Sequence, residues 1–327
     1  MQFKTIVVSV CLILAACSCT RDLRVDRRLT YARPLGRELR LNVYQAKARP
    51  EEPLPAIVAI HGGAWLHGPR VQQWWYLHEF ARRGYVVVAV DYRKLPRFSF
   101  PHCLHDVKGA VRWVRLHSEA YGIDPDRIYA FGASAGGHLA AFLATAEPLD
   151  GFEGDQNPGA SSGVNAAISL YGAVDLTKFR DPPEPALSNA FWRWYVWQFV
   201  EDAGWQQGQE PFAYASPIVY ARPFSKPVLF IQGKEDSLVH YQQAVDAHAR
   251  LQQLGVSTDL MLFENRGHAF DYTHWKQRKE VFARMLLFLE EHGGAPAGTV
   301  YSDIAEELPG IDDVRVSIVE GASGTAP

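Results

Sequence analysis

Apolar positions along this chain fall into short runs separated by stretches of helical spacing. Ala56 to Ile60, Val86 to Val90, Ile128 to Phe131, Ala166 to Leu170 and Val228 to Ile231 are near-continuous apolar segments. That is the pattern of strands buried on both faces. Leu39 to Tyr44 alternates with period two, and Leu260 to Phe263 closes the series. Between these runs Leu104, Val107, Val111 and Val114 recur at three- and four-residue spacing, and Val245, Leu251 and Leu254 do so more loosely. A last helix is predicted from about His274 to His292, stopped by Gly293-Gly294. Strands alternating with helices predict an α/β protein, a mostly parallel central sheet of about eight strands with helices on both faces.

One connection is too long for a simple loop. Between Leu170 and Val228 lies the segment Phe191-Trp192-Arg193-Trp194-Tyr195-Val196-Trp197-Gln198-Phe199, with Pro182, Pro183 and Pro185 before it. Connections in α/β units usually take about 2–6 residues. As a helix, this segment puts Trp192, Tyr195, Val196 and Phe199 on one face. An aromatic cap over the sheet, inserted at about 178–215, is one reading; rings that merely fill core space under the insertion is the other.

Composition narrows the function classes. The chain has 327 residues, 47% hydrophobic and 21% charged, so it carries enough apolar material for a folded globule. Its 33 basic and 36 acidic residues leave no cationic surplus for a nucleic-acid backbone. Four cysteines are too few for a disulfide scaffold. No HExxH, no paired CxxC and no phosphate loop with Lys is present, so neither metal nor cofactor is implied.

The N-terminus reads apart from the globule. Lys4 precedes an apolar run from Ile6 to Ala16, too short to span a bilayer but laid out as an export signal. It ends Leu14-Ala15-Ala16-Cys17, which resembles the lipobox of bacterial lipoproteins, where the cysteine is diacylated and becomes the mature N-terminus. The reading is therefore a leader over 1–16, lipidation at Cys17, and a flexible tether over 17–29. Membrane contact would come only through the lipid, at the outer membrane, since Ser18 stands where inner-membrane retention is associated with aspartate. A conventional signal with an incidental Cys17, leaving a soluble periplasmic or secreted protein, is the alternative. The mature chain would keep Cys17, Cys19 and Cys103; nothing in the sequence supports a pairing of the last two. Residues 293–327 read as a mobile or peripheral tail with one alternating stretch, Val314 to Ile318.

Chemistry is concentrated at Gly132-Ala133-Ser134-Ala135-Gly136, between the strand ending at Phe131 and a helical run from His138 to Thr145. G-x-S-x-G in that setting is a nucleophile elbow, whose glycines permit the turn that lifts a serine hydroxyl above the sheet. Upstream, His61-Gly62-Gly63-Ala64-Trp65 follows the strand Ala56 to Ile60, where backbone N–H groups can meet a developing oxyanion.

With these motifs the chain resembles α/β-hydrolases of the esterase/lipase type, the hormone-sensitive-lipase-like and feruloyl-esterase-like carboxylesterases. Further matching stretches are Asp91-Tyr92-Arg93, Phe100 to Val107, Gly122 to Ala140, Gln232 to Val239 and Glu264 to Phe270, so the resemblance runs from about Leu39 to His292. Two positions depart from it. Ala64 stands where many relatives carry glycine, and Gln232 where histidine is frequent. The resemblance implies a 30–292 catalytic domain with Ser134 as nucleophile, Asp236 as acid and His268 as base, in the order Ser, acid, His. It implies an oxyanion hole from the N–H groups of Gly63, Ala64 and Ala135. Glu235 reads as a solvated neighbour, His240 as a structural residue on the helix after the acid, and His138 and His61 as structural.

Trp65, Trp192, Tyr195 and Phe199 are the candidate substrate-binding residues. The rings of the last three are expected to roof the site and restrict it to short acyl chains. The expected activity is a serine carboxylesterase acting on a small-molecule ester. An arylformamidase or peptidase on the same scaffold, or a binding module that kept the fold, remain the alternatives. The ester itself and the oligomeric state are not legible.

Overall fold

The computed structural model describes residues 22–48, 50–180, 190–201, 210–293 and 295–296, with side chains at all of these but 180 and 190–193. The leader, Cys17, Cys19, the C-terminal stretch Val314 to Ile318 and the side chain of Trp192 lie outside the described residues.

Eight strands form one sheet: β1 (Leu23–Ala32), β2 (Leu39–Ala46), β3 (Leu54–Ile60), β4 (Val86–Val90), β5 (Ile123–Ala133), β6 (Ala167–Leu170), β7 (Val228–Gly233) and β8 (Thr258–Phe263). Their spatial order is β1-β2-β4-β3-β5-β6-β7-β8. β1 pairs antiparallel with β2 and β2 with β4, and every later pairing is parallel. This is the α/β-hydrolase fold.

Alternation along the central strands sorts side chains to two cores. Ala56, Val58 and Ile60 of β3 and Val86, Val88 and Val90 of β4 face one side, where helices α2 (His102–Leu116) and α3 (Ala135–Thr145) cover them. Ile57, Ala59, Val87 and Ala89 face the other, under α1 (Trp74–Arg82) and α6 (Trp275–Glu291). All ten of these β3 and β4 side chains are buried, each valine or isoleucine contributing about 1.5–3 kcal/mol of transfer free energy. Two further helices matter to the site: α4 (Ala190–Val200) in the insertion and α5 (Gln242–Gln253) after β7. Cys103 is a buried free thiol in α2.

The tether expected over 17–29 does not hold in its second half, because β1 begins at Leu23. Only Leu23 and Tyr31 of this strand are buried, and its middle carries Arg24, Asp26, Arg27 and Arg28. Charge on an outermost strand discourages further edge pairing, and here it disguised the strand as a spacer. An Arg24–Asp26 ion pair at 2.7 Å lies on its exposed face. His240 is likewise not on the following helix; it precedes α5, and its Nδ1 accepts from the Gln242 N–H at 3.2 Å.

Candidate active site

The carboxyl ends of the parallel strands bring three distant segments together. β5 runs into Ser134, which sits at φ 54°, ψ −120°, and α3 starts at the next residue. A non-glycine residue in that region costs about 1–3 kcal/mol and persists where the surroundings over-determine it. Here the Ser134 N–H donates to the Leu170 carbonyl at 2.8 Å. Close packing of the elbow explains its glycines. A Cβ on Gly132 would lie 2.1 Å from the Gly136 carbonyl oxygen, and one on Gly136 would lie 2.0 Å from that of Ile60.

His268 follows β8, and Asp236 follows β7. His268 Nε2 lies 2.9 Å from Ser134 Oγ, and Nδ1 lies 2.7 Å from Asp236 Oδ2. Asp236 is a carboxylate, so the shared proton belongs on Nδ1, which leaves Nε2 to accept from the serine hydroxyl. The Asp236 side chain is fully buried, whereas His268 remains 15% exposed. Asp236 is otherwise held by the N–H groups of Leu238 and Val239 on Oδ1, at 2.8 and 2.9 Å, and by the Gln232 amide on Oδ2 at 2.7 Å. The same Gln232 amide also donates to the Val239 carbonyl, at 2.9 Å, and so fastens the acid loop to β7. Glu235 is exposed.

Gly63, Ala64 and Trp65 occupy the left-handed region, at φ 113°, 52° and 55°. Among the described residues the N–H groups of Gly63, Ala64 and Ala135 donate to no protein acceptor. Ala135 opens α3, so its N–H also carries the partial positive charge of a helix N-terminus.

Two other histidines brace this arrangement. Burial pushes His138 down to about 4, so it is neutral at ordinary pH; its Nε2 donates to the Ala215 carbonyl at 2.8 Å and its Nδ1 accepts from the Trp65 indole at 3.2 Å. His61, pushed down to about 3 by burial, donates from Nδ1 to the Gly62 carbonyl at 2.7 Å and stacks on Tyr92.

Ser134 and His268 open onto a cavity of about 50 Å³ walled by Trp65, Ala173, Phe179, Val196, Leu238 and Val239. The expected roof is therefore corrected in part. Tyr195 and Phe199 do not line this cavity. Phe199 stacks on the Trp65 indole at 4.1 Å between centroids, and the Tyr195 hydroxyl donates to the Ala64 carbonyl. Among the described side chains of α4 the one that lines it is Val196, which shares their buried face. Phe179, Leu238 and Val239 carried no sequence signal beyond being apolar beside the insertion and the acid loop. Among the described residues no group of three or more His, Cys, Asp or Glu is placed to hold a metal ion.

Comparison with known proteins places this geometry among relatives. Esterase LipC of Mycobacterium tuberculosis is 30% identical over 253 residues, 77% of this chain and 62% of its own length. The probable carboxylic ester hydrolase LipM of the same organism is 34% identical over 85% of this chain and 65% of its own. The chain thus spans a little under two thirds of the length of these curated relatives. The butyrate-bound Est2 esterase of Thermogutta terrifontis superposes with a TM-score of 0.70 at 26% identity, covering 86% of this chain and 98% of that one. The BD-FAE family model matches residues 41–251, more than half of the sequence. The chain belongs to the BD-FAE family of α/β-hydrolases.

Proposed function

We propose that this protein is a serine carboxylesterase that hydrolyses short-acyl esters through an acyl-enzyme. The observation that carries the reading is the unbroken hydrogen-bonded chain Ser134–His268–Asp236 at the mouth of an apolar cavity. His268 Nε2 takes the Ser134 proton as Oγ attacks the ester carbonyl carbon, and Asp236 stabilises the imidazolium that forms. The N–H groups of Gly63, Ala64 and Ala135, which meet no protein acceptor among the described residues, receive the oxyanion. On collapse the alcohol leaves with the proton from His268. Water, deprotonated by the same nitrogen, then releases the carboxylic acid and restores the serine. LipC and LipM, named as ester hydrolases, support the reaction class.

Acyl length follows from the cavity. One water-sized group needs about 10–15 Å³ by this measure, so a cavity of about 50 Å³ takes a few such groups and no more. Each methylene buried where space exists contributes about 0.8 kcal/mol, but a clash with a packed wall costs about 1–3 kcal/mol. Beyond the first few carbons the wall formed by Phe179 and Val196 wins. A butyrate-bound esterase of the same fold is consistent with that size. Measured kcat/KM on p-nitrophenyl acetate, butyrate and octanoate should peak at acetate to butyrate, and Val196→Ala should move the peak to longer chains. A wild-type optimum at octanoate or beyond overturns the short-acyl reading.

The Leu14 to Cys17 motif supports export and lipid anchoring through Cys17. Labelled palmitate fed to a bacterial host should mark the wild type and not Cys17→Ala; equal, unlabelled export of both would refute the anchor.

A further inference from the structure

We propose that Tyr195, on the inserted helix α4, is a positioning residue of the oxyanion hole, its hydroxyl fixing the backbone of Ala64. This rests on the serine-esterase reading above and concerns the same site. Ala64 and Trp65 are non-glycine residues at φ 52° and 55°, a conformation that costs an L residue free energy because Cβ crowds the following carbonyl. Such a loop needs external restraint to present its N–H groups at a fixed angle. Its carbonyls show where the restraint comes from. The Gly62 carbonyl accepts from His61 Nδ1 at 2.7 Å. That of Gly63 accepts from the N–H groups of Leu66 and His67 and from His67 Nδ1, at 3.0, 3.1 and 2.6 Å. That of Trp65 accepts from the Leu95 N–H at 2.9 Å. The Ala64 carbonyl alone turns to the insertion, and among the described residues its donor is the Tyr195 hydroxyl.

The peptide plane before Ala64 holds its N–H, and the plane after it holds its carbonyl. A trans peptide aims its carbonyl and N–H in opposite directions, so the pinned Gly63 carbonyl sets the Ala64 N–H in one plane. The Tyr195 bond sets the other plane and prevents Ala64 from relaxing out of the left-handed region. Burial pushes the Tyr195 hydroxyl up to about 12, so it remains a donor across the working pH range. One residue along α4, Val196 forms part of the acyl wall, and one turn along, Phe199 stacks on Trp65. A single helix thus reads the acyl chain and holds the loop that stabilises the transition state.

Tyr195→Phe removes the hydroxyl and keeps the ring. Losing a neutral hydrogen bond should lower kcat on p-nitrophenyl acetate, per serine titrated with a phosphonate ester, about twofold to tenfold with KM unchanged. Affinity for methylboronic acid, which forms a charged tetrahedral adduct on serine, should fall by the same factor. A role in packing alone would lower melting temperature and the titratable fraction but leave both per-site values in place, and that result overturns the proposal. So does a rise in KM with kcat unchanged. Ser134→Ala, measured alongside, separates the two levels: retained activity there removes the serine-esterase reading, whereas an inactive Ser134→Ala with an unaffected Tyr195→Phe removes only the role of Tyr195.

Discussion

The Tyr171 ring packs against the His268 imidazole with centroids 4.8 Å apart, and its hydroxyl donates to Asp271, three residues further along the same loop, at 2.9 Å. Tyr76, from α1, donates to the other oxygen of Asp271 at 3.1 Å. Asp271 is buried, and burial holds its carboxyl above the usual range while the two hydroxyls pull it back down. The loop that carries His268 is therefore anchored by the buried Asp271 side chain.

Asp271→Leu leaves both tyrosine hydroxyls buried without that acceptor. Each unsatisfied group costs about 1–3 kcal/mol, so urea denaturation should show a loss of about 2–6 kcal/mol. A loss below about 0.5 kcal/mol would mean that the anchor is dispensable.

Gln232 bears on turnover rather than on the core, because its amide holds the acid loop. Gln232→Leu should lower kcat about tenfold with little change in KM, since a charge-directed hydrogen bond of about 1.5 kcal/mol is lost from Asp236. Gln232→His, the residue frequent in the resembling esterases, should restore part of the loss. Equal turnover in wild type and Gln232→Leu would show that Asp236 is positioned by the Leu238 and Val239 N–H groups alone.

Buried neutral histidines make stability sensitive to acid. Above about pH 6.5 the His138 ring is neutral folded and unfolded, and pH has no purchase on it. Between about pH 6.5 and its folded value of about 4, only the unfolded chain binds the proton, so acidification favours unfolding. That amounts to roughly 3 kcal/mol at about 1.4 kcal/mol per unit. His61 and His105, pushed down to about 3 and about 4, act in the same direction. Unfolding free energy from urea titrations should drop steadily from pH 7 to pH 5; a flat or rising profile would contradict neutral burial of the His61 and His138 rings.

What the sequence made legible divides along physical lines. The strands Ala56 to Ile60 and Val86 to Val90 announced themselves because burial on both faces demands apolar residues at every position. That Ser134, Asp236 and His268 would meet was legible because each stands at a strand end in a motif whose glycines or turn residues are required by the backbone. β1 was not, because an edge strand with two buried side chains has no apolar pattern to show. Of the cap rings, Tyr195 and Phe199 do share a buried face of α4, yet neither lines the cavity beside Ser134. Periodicity told which residues share a face, but not that Val196 would line the cavity beside Ser134 while Tyr195 met the Ala64 carbonyl and Phe199 the Trp65 ring. Gln232 looked like a departure from pattern; only the geometry showed its amide serving Asp236.

Whether Ser134 is the nucleophile activated by His268 is decided most directly by intact-mass and peptide mass spectrometry after incubation with a p-nitrophenyl alkylphosphonate. One phosphonyl group per chain is expected, carried on Ser134, with one equivalent of p-nitrophenol released and strongly slowed labelling in His268→Ala. Labelling at another residue, or labelling of Ser134→Ala at the wild-type rate, would contradict that assignment.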